Sequence, residues 1–297
     1  MRLRRAVRLP FVPPLLPDNL YGHLAATAVP GVEEWRDGAY RAAVALPHGP
    51  AILTAGLPDG DAVPAVLLLS DERDEPEALR RIRQLLDLDR DPGTADDLLA
   101  RDPALAPLVA AAPGRRVPGS PDAPSMVLKA VLGQQVSTAA ARTHAGRLAE
   151  ALGTPVVDPE GRLSRLFPAP RALAEQPERA AEALRMPASR RGTVLGVAAA
   201  LAAGRVDLTD PAGARQSLLA LPGVGPWTVE TVAMRALGDL DAFPASDLGV
   251  LAAVRRLGLP DGGRALLAHA RGWSPMRAVA VQHLWATGEH PVNALPR

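Results

Sequence analysis

The 297-residue chain contains no cysteine, which removes disulfides, iron–sulfur clusters, thiol nucleophiles and cysteine-ligated zinc together. Lysine is nearly absent as well: Lys129 stands alone among 33 basic side chains, the other 32 being arginines. Any chemistry through a lysine Schiff base therefore has a single candidate. No segment approaches the ~18 uninterrupted apolar residues of a membrane-spanning helix. The arginine-rich opening MRLRRAVRLPFVPP lacks the apolar stretch and small-residue cleavage site of a secretory signal. A cytoplasmic protein with no membrane partner is the expectation. The six histidines (His23, His48, His144, His269, His283 and His290) show neither HExxH nor paired spacing. No side-chain metal site is expected among them, and each reads as a surface or satisfied core residue.

What is present suits a folded protein: 47% of the residues are hydrophobic, and a chain this long favours two domains. Net charge is +1, but it is unevenly spread. Residues 1–112 carry 12 arginines against 17 carboxylates, whereas residues 113–297 carry 21 basic side chains against 15 carboxylates. Such segregation fits a basic, nucleic-acid-binding second half, and equally a compositional bias toward arginine.

The first 112 residues read as a small α+β domain. A helix is expected in DNLYGHLAATAVPGV, capped by Asp18 or Asn19 and stopped at Pro30–Gly31. YRAAVAL, PAILTAGL and VPAVLLLS are short apolar runs separated by turn residues, the pattern of an antiparallel meander. DEPEALRRIRQLLDL follows as an amphipathic helix with acids first and arginines last. RDPGTADDLLARDPALAPLVAAAPGRRVPGSPDAP is proline-rich with short helical pieces and ends in the best linker candidate, the boundary falling near residues 105–120. Residues 113–297 read as all-α. One long helix is expected over 124–153, with Ser125 as cap and Gly153 as stop, and later segments bring the total to about seven to nine helices.

The junction LLALPGVGPWTVETVAMRAL carries the strongest local signal. Two amphipathic helices flank Leu221-Pro222-Gly223-Val224-Gly225-Pro226. Pro222–Gly223 suits a type II turn, whose third position needs positive φ. Gly225 admits a ligand close to the backbone, and Pro226 leaves the next helix start, with its unpaired N–H groups, intact. This is a helix-hairpin-helix arrangement, in which amides grip a phosphate without reading sequence; a plain helical hairpin is the alternative. Downstream, Asp247 in AFPASDLGVLAAVRRLG reads by itself as an N-cap.

The hairpin followed about 20 residues later by an aspartate at a helix start resembles the helix-hairpin-helix DNA glycosylase superfamily. Blocks in order (LRLPFVPP, HLAATAVPGVEEWRDGAYRAAV, AVLGQQVSTAAARTHAGRLAEALG, LRMPASRRGTVLGVAAALAAG and WSPMRAVAVQHLW) resemble its alkylpurine branch, the AlkA-type DNA-3-methyladenine glycosylases. The resemblance implies an α+β fold in which a small antiparallel N-terminal domain precedes an all-α glycosylase domain. It implies a monofunctional hydrolase that removes alkylated purines (3-methyladenine, 7-methylguanine type) from double-stranded DNA by base flipping in base excision repair. Alternatives are a glycosylase for a deaminated or oxidised purine and a non-catalytic damage-recognition protein.

By the same resemblance Asp247 is the catalytic carboxylate, stabilising positive charge on the sugar. Trp227 and Trp285, with Thr231 where a tyrosine is common, line the base pocket, their indole faces attracting a cationic purine; core packing is the alternative for both, and the favoured reading of Trp273. Gly223, Val224, Gly225 and Thr228 of the hairpin bind DNA. So do Gln134, Gln135 and Ser137, the glutamines forming a loop that probes the gap left by the extruded nucleotide, with Gln135 where an apolar wedge is usual. Bifunctional relatives hold a lysine at the position of Trp227, so strand cleavage is not expected. The hairpin implies a monovalent cation on the carbonyls of Leu219, Leu221 and Val224, and no other cofactor. A monomer is implied, whose product passes to enzymes that process abasic sites.

Overall fold

The computed structural model of the chain describes residues 3–296. Five strands, β1 (Leu3–Pro10), β2 (Glu33–Arg36), β3 (Ala39–Leu46), β4 (Gly49–Gly56) and β5 (Ala62–Leu69), form one antiparallel sheet in the order β1-β5-β4-β3-β2. The three central strands are the expected meander. The two edge strands escape the apolar pattern because edges are half-solvated: β1 carries Arg4, Arg5 and Arg8, the charged dress that keeps an edge from pairing with other chains. The β2–β3 turn is Asp37–Gly38, with φ of 50° and 75°, the paired positive values of a type I′ hairpin.

Fourteen α-helices accompany the sheet among the described residues, with three short 3-10 turns at Glu72–Asp74, Ala270–Trp273 and Pro291–Asn293. The first four are α1 (Asp18–Thr27), α2 (Glu75–Leu85), α3 (Pro92–Leu99) and α4 (Ala106–Ala111). The ten that follow are α5 (Ala123–Leu132), α6 (Thr138–Leu152), α7 (Pro170–Glu175), α8 (Pro177–Ala183), α9 (Ala188–Ala202), α10 (Pro211–Leu219), α11 (Pro226–Arg235), α12 (Leu248–Arg256), α13 (Gly263–His269) and α14 (Arg277–Ala286). The fold is thus an antiparallel sheet domain followed by an all-α domain. One helix beyond the expected range arises because the segment over 124–153 is broken at residues 133–137, where Gln135 adopts φ 53°. The start of that segment also differs. Asp122, not Ser125, is the N-cap, accepting the Ser125 N–H at 2.9 Å, while Ser125 lies inside the first turn. For α1, Pro17 occupies the cap position and makes no side-chain capping bond; Asp18 instead faces Arg115 at 3.3 Å.

One face of the sheet packs on α1 and α2 through Leu20, Tyr21, Leu53, Leu67, Ile82 and Leu85. A second core joins α5, α6, α9 and α11. In a third, Leu99, Leu105 and Val109 of α3 and the segment up to α4 sit against Val250, Trp273 and Leu284 of the C-terminal helices. The proline-rich stretch is therefore held down. Arg116, with no exposed surface, donates to four main-chain carbonyls: Asp87 at 2.8 Å, Arg90 at 2.6 Å, Pro14 at 2.9 Å and Val12. Its own carbonyl accepts from Asn19 Nδ2 at 2.9 Å. A guanidinium fork meets several acceptors in a plane, which a lysine cannot. Among the described residues no helix is long and apolar enough to cross a membrane.

Two measurements check this frame. Arg116→Ala should lower unfolding free energy in urea by about 3 kcal/mol, since it leaves buried carbonyls unpaired, and Arg116→Lys should recover little of it; a loss below ~1 kcal/mol would contradict the assignment. Burial, helped by the charges of Arg115 and Arg90, pushes the His283 imidazole from 6.5 down to about 3. Because the folded value is depressed, the unfolded chain takes up the proton first. Stability is present above pH ~6.5 and declines as pH falls toward ~3. His283→Gln should flatten that decline.

Candidate active site

The segment joining α10 to α11 closes as the sequence requires. Val224 N–H donates to the Leu221 carbonyl at 3.1 Å across Pro222–Gly223, and Gly223 has φ 80°, the third position of a type II turn. A Cβ at Gly223 would strike the hydroxyl of Thr193 on α9, so the position is closed to side chains on two grounds. Val224 turns its side chain into the core and pins the loop. Gly225 differs: its φ of −108° suits any residue, and a Cβ there would meet nothing within 4 Å. Neither backbone nor packing demands glycine at that point. The N–H groups of Gly223 and Gly225 donate to no backbone carbonyl among the described residues, and the first turn of α11 follows with Pro226 at its start.

The second half of the site gathers around Asp247. The residue is the N-cap of α12, and its Oδ1 accepts from Gly249 N–H at 2.9 Å and Val250 N–H at 3.1 Å. The same carboxylate takes two further donors: Trp285 Nε1 of α14 reaches Oδ1 at 2.7 Å, and Trp227 Nε1 of α11 reaches Oδ2 at 2.9 Å. Cap and site are thus one group. Four N–H donors and no acceptor surround it, the pattern that suits an ionised, acceptor-only carboxylate. Oδ2, with one protein partner, keeps acceptor capacity. Gly249 is needed for this geometry, because a Cβ there would lie 2.8 Å from Trp285 Cδ1. The indoles thus address the aspartate with their N–H edges, a contact beyond the face-on role expected of them. Thr231 is half-buried one turn beyond Trp227. Trp273 is core, 1% exposed, donating to Asp102 Oδ2 at 2.7 Å.

Sequence reasoning missed Arg235. Buried at the end of α11, it donates to the Pro118 carbonyl at 2.7 Å and stacks its guanidinium 5.3 Å from the centre of the Trp285 ring. Burial pushes it down to about 9, against the opposing pull of Asp247. The signal was available: Thr228, Val232 and Arg235 share one buried helix face at spacings of four and three. The arginine closes one face of Trp285 to any other cation. It also lines a cleft of about 590 Å³ between α2 and the helical domain. Leu248, next to Asp247, is 83% exposed.

The probing loop lies beside the hairpin. Gln135 is exposed at its tip. Gln134 is turned inward, its Nε2 donating to the Gly223 carbonyl at 3.1 Å and Thr228 Oγ1 at 2.8 Å. Thr228, expected at DNA, is 1% exposed, so its side chain serves this internal bond and not a ligand. Ser137 caps α6, accepting Ala140 N–H at 3.2 Å. Lys129, the lone amine candidate, is 2.6 Å from Glu33 Oε1 and 5.4 Å above the Phe167 ring. Of the three carbonyls expected to face a cation, that of Leu221 already accepts the turn bond and keeps one lone pair. No cluster of three or more His, Asp or Glu side chains capable of holding a metal occurs among the described residues.

Comparison with known proteins identifies the relatives of the chain. The sequence model of the AlkA N-terminal domain matches residues 6–122. The chain is 50% identical over 295 residues to the probable bifunctional transcriptional activator/DNA repair enzyme AlkA of Mycobacterium tuberculosis. That match covers 98% of this chain, which spans only 58% of the relative's length. It is 32% identical over 274 residues to DNA-3-methyladenine glycosylase 2 of Escherichia coli, covering 90% of this chain and 92% of that one. The 3-methyladenine DNA-glycosylase from Archaeoglobus fulgidus shares the fold, with a TM-score of 0.79 at 20% identity over 95% of this chain and 97% of the other. With a relative 32% identical and matched at nearly full length, the chain belongs to the AlkA-type DNA-3-methyladenine glycosylase family.

Proposed function

We propose that the chain is a monofunctional DNA glycosylase that hydrolyses the N-glycosidic bond of alkylated purines, of 3-methyladenine and 7-methylguanine type, in duplex DNA. The observation that carries this reading is the Asp247 carboxylate, held by two indole N–H groups beside a glycine hairpin. The glycosidic bond is inaccessible inside the base stack, so the nucleotide has to be turned out before reaction. The free amides of Gly223 and Gly225 and the start of α11 offer a phosphate grip, and the open space at Gly225 is where the backbone would approach it. The carbonyls of Leu219, Leu221 and Val224, hard oxygen donors, would hold a monovalent cation there, adding positive charge beside the phosphate. Gln135 would enter the gap, its amide replacing the lost base's hydrogen bonds, with Ser137 near the strand at the start of α6.

Bond cleavage places positive charge on the deoxyribose, and a fixed carboxylate stabilises that charge as it forms. Oδ2 of Asp247 has capacity to face the sugar or orient the attacking water. An alkylated purine already carries the positive charge that makes it a leaving group, so no second acid is required. A cationic base would stack on Trp227 or on the face of Trp285 that Arg235 leaves open. Thr231, smaller than a tyrosine, would leave a broad pocket. With Lys129 engaged by Glu33 and a tryptophan after the hairpin, no lysine amine among the described residues stands ready to attack the sugar. The product would be an intact strand with an abasic site, passed to abasic-site processing enzymes. The setting would be the cytoplasm, the working form a monomer, and the grip mostly phosphate contacts.

Asp247→Asn should lower single-turnover release of 7-methylguanine at least ~100-fold. Asparagine can still cap α12 through its oxygen but presents an amide where Trp227 needs an acceptor. Affinity for the lesion duplex should change by less than about threefold. Turnover within tenfold of the unsubstituted protein would sink the assignment. Products run before alkali or heat should show no strand break. Affinity for undamaged duplex should fall steeply between ~50 and ~200 mM salt; a flat response would contradict a phosphate-based grip.

A further inference from the structure

Three elements converge behind the hairpin, and none of the bonds between them involves Asp247 or the two site indoles. From the first turn of α9, Arg190 Nη2 donates to the carbonyls of Leu132 at 3.3 Å and Gln134 at 2.8 Å, the last residues before the loop tip. The Gln134 side chain carries the connection onward to the Gly223 carbonyl and to buried Thr228 on α11. Thr193, one turn along α9 from Arg190, closes the space behind Gly223. One helix thereby braces both the loop and the turn. Beyond the brace stands Gln135, exposed and at φ 53°. A non-glycine residue keeps a left-handed backbone only where its surroundings impose it.

We propose that Arg190, Gln134 and Thr228 are positioning residues that lock the Gln135 tip to the Gly223 turn, so that strand grip and gap filling act as one rigid unit when the nucleotide is extruded. This rests on the glycosylase reading above. Extrusion breaks pairing and stacking, and the inserted side chain offsets that cost only if its distance from the gripped phosphate is set in advance. Gln134 is then a strut and not a DNA contact. Its amide is suited to the task because one NH₂ group serves two acceptors on different parts of the hairpin. The lock should matter where the lesion is paired and matter less where pairing has already been lost.

The test compares single-turnover release of 7-methylguanine from two duplexes, one with cytosine opposite the lesion and one with a tetrahydrofuran abasic analogue opposite it. The readout is the ratio of the paired to the unpaired rate. Gln134→Ala and Thr228→Val should each lower that ratio roughly tenfold relative to the unsubstituted protein, the effect of losing one or two hydrogen bonds. Arg190→Lys, which can still reach one carbonyl, should keep the ratio nearer its original value than Arg190→Ala does. A purely structural network would slow both duplexes alike. Ratios within twofold of the original for Gln134→Ala and Thr228→Val would overturn the proposal, as would equal ratios for the two Arg190 variants. Should the unsubstituted protein release base from neither duplex, the glycosylase reading itself falls.

Discussion

The arrangement turns on a carboxylate that joins three helices at once, capping one and accepting an indole N–H from each of the other two. Asp247 starts α12 with two backbone N–H bonds and receives one indole N–H from α11 and another from α14. Each donor also restricts where the negative charge can point, so the side chain is fixed before any substrate arrives. Preorganised charge of this kind needs no rearrangement as a transition state forms. The same bonds hold three helices in register. Substitution at this residue would therefore disturb local packing as well as the chemistry proposed for it.

The rest of the molecule can be understood as what holds those helices. Arg235 braces Trp285 from behind and ties α11 to Pro118, the segment that returns from the sheet domain. Arg116 gathers four carbonyls from residues 12 to 90 next to that segment. The sheet domain is thus bound to the site through two buried guanidiniums, one of them stacked on a site indole. In a chain with a single lysine, arginine supplies these joints because its fork satisfies several acceptors without a matching carboxylate.

Much of this was legible beforehand, for identifiable reasons. Pro222–Gly223 has one sensible conformation, and it formed. The central strands are continuous apolar runs with turn residues between them, and they paired as a meander. Asp247 stood at a helix start in the expected relation to the hairpin. What could not be read depends on contacts distant in sequence. The edge strand β1 looks like a charged tail until β5 is beside it. The helix break at Gln135 had local signals, Gly133 ending α5 and Ser137 capping α6, which the longer apolar periodicity masked; the bonds from Arg190 and to the hairpin that accompany it are distant in sequence. Asp18 and Ser125 are ordinary caps by pattern, yet Arg115 claims the first and Asp122 precedes the second. Arg235 was passed over, although its spacing from Thr228 and Val232 put it on the buried face of α11.

The central claim is that a fixed negative charge at residue 247 recognises positive charge on a sugar held outside the duplex. The direct measurement is the affinity of the intact protein for two duplexes that differ in one residue. One carries a neutral tetrahydrofuran abasic site, and the other a pyrrolidine analogue protonated at the position of the sugar's developing charge. Binding should favour the pyrrolidine duplex by about 100-fold or more, as expected for a mimic of the transition state. Equal affinity for the two duplexes would contradict the account.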